Sequence, residues 1–250
     1  MTLVLTELTS YGIAMAADSA VTSINNATGQ TSVRNNAATK LQKITYLNAG
    51  ASCWGLGRIS GTPTDKWLAN FIASNSSLST LSSFATALES ELNKVVTADP
   101  NGSLGFHLAG YEKVVGINGP SFYHIHDGPS TTLQQRGITV NPSRFNANHD
   151  MPPNLLPPIL AVAPGWITRN GSYVLYAQIF HLLEMYFSAL GQQGIIIPDS
   201  HNLMDRAEYL IFQIRTVSEI YRLSNLVQGI GGSINYLTIS PAGIQDEGTR

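Results

Sequence analysis

The residues best placed to do chemistry are Thr2 and Asp18, sixteen positions apart near the start of the chain. Residues 2–5 and 11–18 are largely apolar and read as two strands, separated by a polar turn near Ser10. A hairpin centred there would bring Thr2 across from Asp18. Cells commonly remove a methionine that precedes a small residue. Removal would give Thr2 a free α-amine on the same residue as its hydroxyl.

A hydroxyl and an α-amine on one residue form a nucleophile with its own base. An α-amine titrates near ~7.7–8.0, so much of it is free base close to neutral pH. An amine of this kind can take the hydroxyl proton as the oxygen attacks an amide carbonyl. The pattern therefore favours hydrolysis through an acyl-enzyme ester, with Asp18 supplying a nearby carboxylate.

The composition limits the classes of protein to which the chain can belong. Its 250 residues are 43% hydrophobic, which suits one large folded domain, here taken as residues 1–250. Only 12% are charged, against roughly 25% in typical soluble domains, which suits a subunit that buries surface in an assembly. The net charge of -2 and the lack of a basic stripe argue against nucleic acid as a partner. No apolar run is long enough to predict a membrane span.

The order of predicted elements indicates an α+β fold. Strands fill residues 2–57, helical periodicity follows over 63–97, and strands return at 104–109 and 122–125. Two more helices are predicted at 172–190 and 203–222, and a closing strand at 233–239. Strict β-α alternation is absent, which disfavours a parallel doubly wound sheet. The order instead fits stacked antiparallel sheets with a pair of helices on each outer face.

Four segments together match a known pattern. They are Thr2 opening a strand, Gly12-Ile13-Ala14-Met15-Ala16-Ala17-Asp18-Ser19-Ala20-Val21-Thr22, Lys40-Leu41-Gln42-Lys43-Ile44, and Ala51-Ser52-Cys53-Trp54-Gly55-Leu56-Gly57. In this order and spacing they resemble the proteasome β-type subunits, in the superfamily that also holds HslV and Anbu. The resemblance implies a four-layer αββα N-terminal-nucleophile (Ntn) hydrolase sandwich. It covers the first 60 residues well and the helices only as a pattern.

The resemblance implies a role for each matching residue. Thr2 would be the nucleophile of a threonine peptidase, and Lys40 would lower the pKa of its α-amine. Asp18 would hold Lys40, and the Gly55 amide would stabilise the oxyanion. The side chain of the substrate would lie in a pocket formed by three residues, Val21, Cys53 and Gly57.

The chain also departs from the family pattern. The usual Ser-Gly after the central strands is present only as Asn170-Gly171, and the Asp-x-x-Ser before the last strand is missing. Tyr221-Arg222-Leu223-Ser224-Asn225-Leu226 followed by Gly229 resembles the Anbu-type Arg-Ser-Asn-Leu-x-x-Gly with inserted residues. Asn170, Gly171 and Asn225 are therefore further candidate catalytic residues, and structural roles are equally open for the two asparagines. Residues 128–165 are proline-rich and read as an irregular insertion.

The expected partners are a peptide or unfolded protein as substrate and further copies of the chain in a ring, stacked ring or spiral. The resemblance also allows an ATPase unfoldase. No cofactor is expected. His124-x-His126 would place two imidazoles on one strand face, but no third metal ligand is evident, so no metal is expected. The single cysteine cannot form an internal disulfide, which favours the cytoplasm.

Two alternatives stay open at this stage. One is a small-molecule amidase or acylase of the same superfamily, with a site accessible in the monomer. The other is a proteasome-like scaffold or binding subunit that is not an enzyme. Retention of Met1 would block the Thr2 amine and with it the proposed base, and the missing Asp-x-x-Ser points the same way.

Overall fold

The computed structural model describes residues 2–24, 31–96, 103–127, 144–171, 173–198, 200–224 and 229–250. Within these ranges the chain forms two five-stranded sheets, two small two-stranded sheets and five α-helices. All paired strands described are antiparallel, as in Val4 with Ala17 and Ser52 with His107. The prediction of an α+β fold with antiparallel sheets is confirmed at this level.

The first sheet has the order β12-β1-β2-β13-β14 and the second β11-β10-β9-β6-β5. The strands are β1 (Leu3–Thr9), β2 (Ile13–Asp18), β3 (Val21–Ile24), β4 (Thr31–Asn35), β5 (Leu41–Ile44), β6 (Ala49–Gly55), β7 (Arg58–Ile59), β8 (Thr62–Pro63), β9 (Leu104–Val114), β10 (Ile117–His126), β11 (Asn146–Met151), β12 (Gly165–Gly171), β13 (Ile234–Ser240) and β14 (Gly243–Thr249). The helices are α1 (Thr64–Ser74), α2 (Leu81–Val95), α3 (Leu156–Leu160), α4 (Tyr173–Gly191) and α5 (Leu203–Leu223).

The β1–β2 hairpin lies inside the first sheet, and every residue of both strands is buried. Side chains alternate between the two faces of a strand. Leu3 and Leu5 therefore pack with residues of α4 and α5, while Val4 and Leu8 pack with residues of the second sheet. This burial on both faces holds the start of β1, next to Thr2, in a fixed position.

The second sheet carries α1 and α2. Phe84, Leu88 and Leu92 lie at spacings of four on one face of α2, inside the segment of predicted helical periodicity, and are fully buried against strands of this sheet. A capping box begins the helix, in which the Thr80 hydroxyl accepts from the Ser83 amide over 3.1 Å. Local sequence and tertiary packing therefore agree on where this helix begins.

A buried ion pair helps to fix α5 on the first sheet. Glu7 of β1 is 2% exposed and Arg206 of α5 is 4% exposed, and Arg206 Nε lies 3.1 Å from Glu7 Oε2. Burial raises the pKa of Glu7, while its hydrogen bond to Arg206 and the guanidinium charge lower it. Loss of either partner would leave an uncompensated buried charge.

Several elements differ from the sequence expectations. The segment predicted as irregular over 128–165 contains β11 and α3, and its last residue is the first residue of β12. Residues 128–143 of this segment lie outside the described residues. β14 was not predicted, because Gln245, Asp246 and Glu247 give it no apolar alternation. Helix α1 begins at Thr64, with Pro63 as its N-cap, one residue after the predicted start of the helical periodicity.

Candidate functional site

Thr2 lies directly before β1 and is 6% exposed. Val4 pairs with Ala17, so Asp18 lies one position further along, beside Leu3 and not across from Thr2. The expected register is therefore wrong by one residue. The turn has two central residues, Ser10 and Tyr11, closed by Thr9 N donating to Gly12 O over 2.8 Å. Its centre falls between them instead of on Ser10.

Asp18 nevertheless holds the chain next to Thr2, through its carboxylate. Asp18 is fully buried, and its Oδ1 accepts from Leu3 N over 2.9 Å and from Lys40 Nζ over 3.0 Å. Its Oδ2 accepts from Ala20 N and from Gly231 N, each over 3.2 Å. Lys40, 5% exposed, also donates to the Ala20 carbonyl. These contacts compensate the cost of burying two charges.

A glycine-rich turn distant in sequence completes this arrangement. Ser19 N and Ala20 N donate to the Gly231 carbonyl over 3.2 and 3.0 Å. Gly232 has φ +72°, and a Cβ there would lie 2.4 Å from Ser19 Oγ and 2.6 Å from Asn36 O. Only glycine fits this close approach of three backbone segments. The sequence analysis did not predict the contact of this turn with Asp18.

A pocket of about 420 Å³ adjoins Thr2. Six residues predicted for the site line it: Thr2, Val21, Lys40, Cys53, Gly55 and Gly57. Asp18 reaches the same region through its bond to Lys40. The structure thus brings together residues that are up to 55 positions apart in the sequence. Their catalytic and binding roles stay predictions.

Gly55 ends β6 at the edge of this pocket. Its φ is +93°, and a Cβ on it would lie 1.9 Å from the Ser103 carbonyl oxygen. Both observations require glycine at this position. The exposed backbone of Gly55 therefore follows a path that other residues cannot adopt.

Cys53 is 3% exposed and contributes a neutral wall to the pocket. Burial raises the pKa of its thiol to about 12; the Lys40 cation lowers it, while the Asp65 and Asp18 carboxylates raise it further. A thiol with such a pKa is protonated at neutral pH and is a poor nucleophile. Thr2 is the better candidate nucleophile in this pocket.

Asn170 and Gly171 are consecutive in the sequence, but their contacts in the structure differ. Gly171 pairs with Leu3, has φ +101°, and would place a Cβ 1.9 Å from the Thr2 carbonyl oxygen. The Asn170 side chain instead meets His107 of the second sheet, with Oδ1 2.7 Å from Nε2. The other ring nitrogen of His107 lies 3.0 Å from Thr6 Oγ1. Asn225 lies outside the described residues.

His124 and His126 do lie side by side, with ring centroids 4.3 Å apart. In the ranges given above, no group of three or more His, Cys, Asp and Glu side chains could hold a metal ion. Burial lowers the pKa of both imidazoles, and for His124 the neighbouring histidines lower it further. The pair belongs to a buried aromatic cluster with His107, whose ring is 5.4 Å from that of His124.

Nine residues that line the pocket were not predicted for the site; among them are Thr22, Trp54, Arg58 and Asp65. Thr22 and Trp54 lie inside the matched segments, directly beside predicted pocket residues, but side chains alternate along a strand, so the pattern did not indicate them. Arg58 and Asp65 lie beyond those segments, on β7 and in the first turn of α1. Arg58 directly follows the last matched segment, whereas Asp65 is brought to the pocket by the bonds of Thr64 to the Leu56 and Gly57 carbonyls.

None of the helices among the described residues is long and apolar enough to cross a membrane.

No protein-family model matches the chain, and no curated protein matches it. Among solved structures, it is similar to a Gly-1 mutant of Anbu from Hyphomicrobium sp. strain MC1. The TM-score is 0.55 at 13% sequence identity, over 100% of this chain and 87% of the other. At this identity the likeness concerns the fold alone. The chain therefore has a distant proteasome-like fold.

Proposed function

We propose that this chain is a proteasome-like threonine peptidase subunit that uses Thr2 after removal of Met1. The observation that carries the proposal is the arrangement around Asp18. One oxygen of this carboxylate accepts from both Leu3 N and Lys40 Nζ, and Thr2 and Lys40 line the same pocket. A hydroxyl, a cation and a pocket for substrate are thus combined at the start of β1.

The chemistry follows from these groups. The α-amine of Thr2 takes the proton of the Thr2 hydroxyl, directly or through one water, as the oxygen attacks a peptide carbonyl carbon. The Gly55 amide stabilises the tetrahedral oxyanion; loss of such a donor typically costs ~10²–10³ in rate. The C–N bond breaks, the leaving amine takes the proton, and an ester forms on Thr2. Water then hydrolyses the ester and restores the hydroxyl.

Lys40 acts on the Thr2 amine through its charge. A neighbouring ammonium disfavours protonation of an amine and so keeps more of it as free base. Asp18 acts as a positioning residue, because it holds the Lys40 ammonium 3.0 Å away and holds the backbone after Thr2 through Leu3 N. In this account Asp18 does not touch the substrate.

We further propose the four-layer αββα Ntn-hydrolase arrangement and assembly with further copies of the chain. Three apolar clusters support the layers: one between the second sheet and α1–α2, one between the two sheets, and one between the first sheet and α4–α5. Assembly is supported by α4, where Leu182, Met185 and Tyr186 are 62%, 53% and 59% exposed. Large exposed apolar side chains grouped on one helix are typical of an interface.

Two substitutions of Thr2 test the proposal. Thr2→Ser keeps a hydroxyl and Thr2→Ala removes it, while both leave a small residue after Met1. Intact mass first establishes that Met1 is absent from each protein. We expect wild type and Thr2→Ser to hydrolyse unfolded casein and Thr2→Ala to lose at least about 10³-fold in rate. Equal hydrolysis by wild type and Thr2→Ala would contradict the proposal.

One observation favours the second candidate, an inactive proteasome-like scaffold. Where the resembled family has Ser-Gly, the Asn170 side chain is bound to His107 between the sheets and does not line the pocket. The hydroxyl of the family's serine is therefore missing at this position. Retained Met1 together with absence of hydrolysis would support this scaffold over the peptidase.

A further inference from the structure

The pocket beside Thr2 has three charged side chains in its lining: Lys40, Arg58 and Asp65. The Lys40 charge is compensated by Asp18, 3.0 Å away. Asp65 is different, because in the part of the chain that the structure describes no Lys, Arg or His side chain forms an ion pair with it. Its Oδ2 accepts from Thr39 N over 3.3 Å.

The Asp65 carboxylate is held at the pocket by the start of α1. Thr64 N donates to the Gly57 carbonyl over 3.1 Å, and Thr64 Oγ1 donates to the Leu56 carbonyl over 2.6 Å. These two bonds attach the first turn of the helix to the pocket wall. Asp65 is in that turn, where the helix dipole stabilises a negative charge.

Asp65 is one of the charged groups that act on Cys53 in the pocket wall. After burial, the groups that shift the pKa of the thiol are the Lys40 cation, which lowers it, and the Asp65 and Asp18 carboxylates, which raise it. Arg58 directs its guanidinium to the Gly61 carbonyl in the β7–β8 turn. Lys40 is compensated by Asp18, and the Arg58 guanidinium is directed to the turn, so Asp65 is the lining carboxylate that has no ion pair among the described residues.

We propose that Asp65 makes this pocket selective for a cationic side chain, lysine or arginine, at the substrate residue whose carbonyl Thr2 attacks. The inference rests on the proposed function, because it assigns the substrate class of that same site. Apolar residues such as Val21 and Leu56 line the pocket as well, and they suit the methylene stem of a basic side chain. A glutamate or aspartate would meet a like charge in the same space.

Kinetics on the assembled protein with a free Thr2 amine test the selectivity. The substrates are acetyl-Ala-Ala-X-aminomethylcoumarin amides, in which X is Arg, Gln or Glu. We expect kcat/KM to be on the order of 10- to 100-fold higher for Arg than for Gln, and lowest for Glu. Asp65→Asn keeps an acceptor for Thr39 N and should reduce the Arg preference to within about threefold.

Two control variants separate the local effect from net charge. Glu219→Gln removes the same charge from an exposed i,i+3 pair on α5 and should leave the Arg preference unchanged. Arg58→Gln should also keep it, because the Arg58 guanidinium is directed to the β7–β8 turn. The inference would be overturned if the wild type had its highest kcat/KM with the Glu substrate and Arg58→Gln lost that preference.

A binding measurement tests the inference independently of catalysis. Thr2→Ala keeps the pocket, so calorimetry can measure Kd for acetyl-Ala-Ala-Arg-amide and its Gln and Glu counterparts. The charge-selective pocket is supported if Thr2→Ala binds the Arg peptide at least about tenfold more tightly than the Gln peptide. The double variant Thr2→Ala/Asp65→Asn should lose this difference. Equal binding of the three peptides overturns the inference, whether or not the wild type hydrolyses peptides. Absence of hydrolysis with selective binding intact would instead contradict only the proposed function.

Discussion

Lys40 and Asp18 form a buried ion pair in which Lys40 Nζ lies 3.0 Å from Asp18 Oδ1. The same oxygen accepts the amide hydrogen of Leu3, the residue after Thr2. The contact therefore joins the candidate cation of the site to the backbone that carries the candidate nucleophile. Because both side chains are almost fully buried, this one pair governs stability as well as the geometry of the site.

The first prediction concerns Asp18→Asn, which keeps the shape of the side chain and removes its charge. It leaves the Lys40 ammonium buried without a counter-charge, which should lower the free energy of unfolding by about 3–5 kcal/mol. Urea denaturation at pH 7 measures the change. Glu247→Gln breaks an exposed pair with Lys43 and serves as control, with an expected loss of less than about 1 kcal/mol. Similar small losses in both variants would contradict the importance of the buried pair.

A second prediction compares two glycines that both have positive φ. Gly55 has φ +93° and a Cβ there would lie 1.9 Å from Ser103 O, whereas Gly61 has φ +80° and open space around it. Gly61→Ala should lower the free energy of unfolding by about 1–2 kcal/mol, because it adds only the strain of the left-handed backbone conformation. Gly55→Ala should cost about 1–3 kcal/mol more, because backbone must shift to remove the clash. Thermal unfolding measures the loss of stability in each variant, and equal losses would contradict the described path of β6.

Stability at acid pH should depend on His107. This residue is fully buried between Thr6 and Asn170 and lies beside the rings of Phe122 and His124. Burial lowers its pKa to about 4; the hydrogen bond to Asn170 raises it and the His126 charge lowers it further.

The sign of the effect follows from the pKa in each state. An unfolded histidine titrates near ~6.5, so below that pH the unfolded chain takes up a proton that the folded chain does not. The free energy of unfolding should therefore fall from about pH 6.5 down to about pH 4, by about 3 kcal/mol from this residue. Urea denaturation at pH 7 and at pH 4.5 should show that the free energy of unfolding falls less in His107→Phe than in the wild type. His181→Gln, exposed on α4, should behave as wild type; an unchanged slope in His107→Phe would exclude the assignment.

Assembly should depend on the exposed apolar residues of α4. Replacing both Leu182 and Tyr186 with glutamate puts two charges one turn apart on that face, which should lower the mass of the assembly measured by light scattering. Thr216→Glu adds a charge at a half-buried position of α5 and serves as control. An unchanged mass in the α4 variant would show that other surfaces support association.

The sequence could predict those parts of the site that are close together or follow a periodic pattern. Thr2, Asp18, Lys40 and Gly55 all come from the first 55 residues, where alternation and turn signals are clear. The contact of Gly231 with Asp18 spans 213 positions and leaves no periodic signal. Such a contact depends on how β13 pairs with β2, which tertiary packing decides.

The missed strands have a similar physical cause. β11 reads Asn-Ala-Asn-His-Asp-Met, and it is an edge strand held by pairing with β10. Edge strands bury less surface, so polar residues are tolerated and the apolar alternation disappears. The register of β1 with β2 was missed by one residue because a two-residue turn and a turn centred on one residue have nearly the same sequence signal.

The most direct test of the account is to locate the ester that Thr2 should form. Protein whose intact mass shows loss of Met1 is treated with a peptide β-lactone, and the acylated residue is identified by tandem mass spectrometry. The account predicts one acyl group per chain on Thr2 Oγ1, released by hydroxylamine and absent in Thr2→Ala. Complete lack of acylation on a protein with a free Thr2 amine, or acylation of another residue that persists in Thr2→Ala, would contradict it.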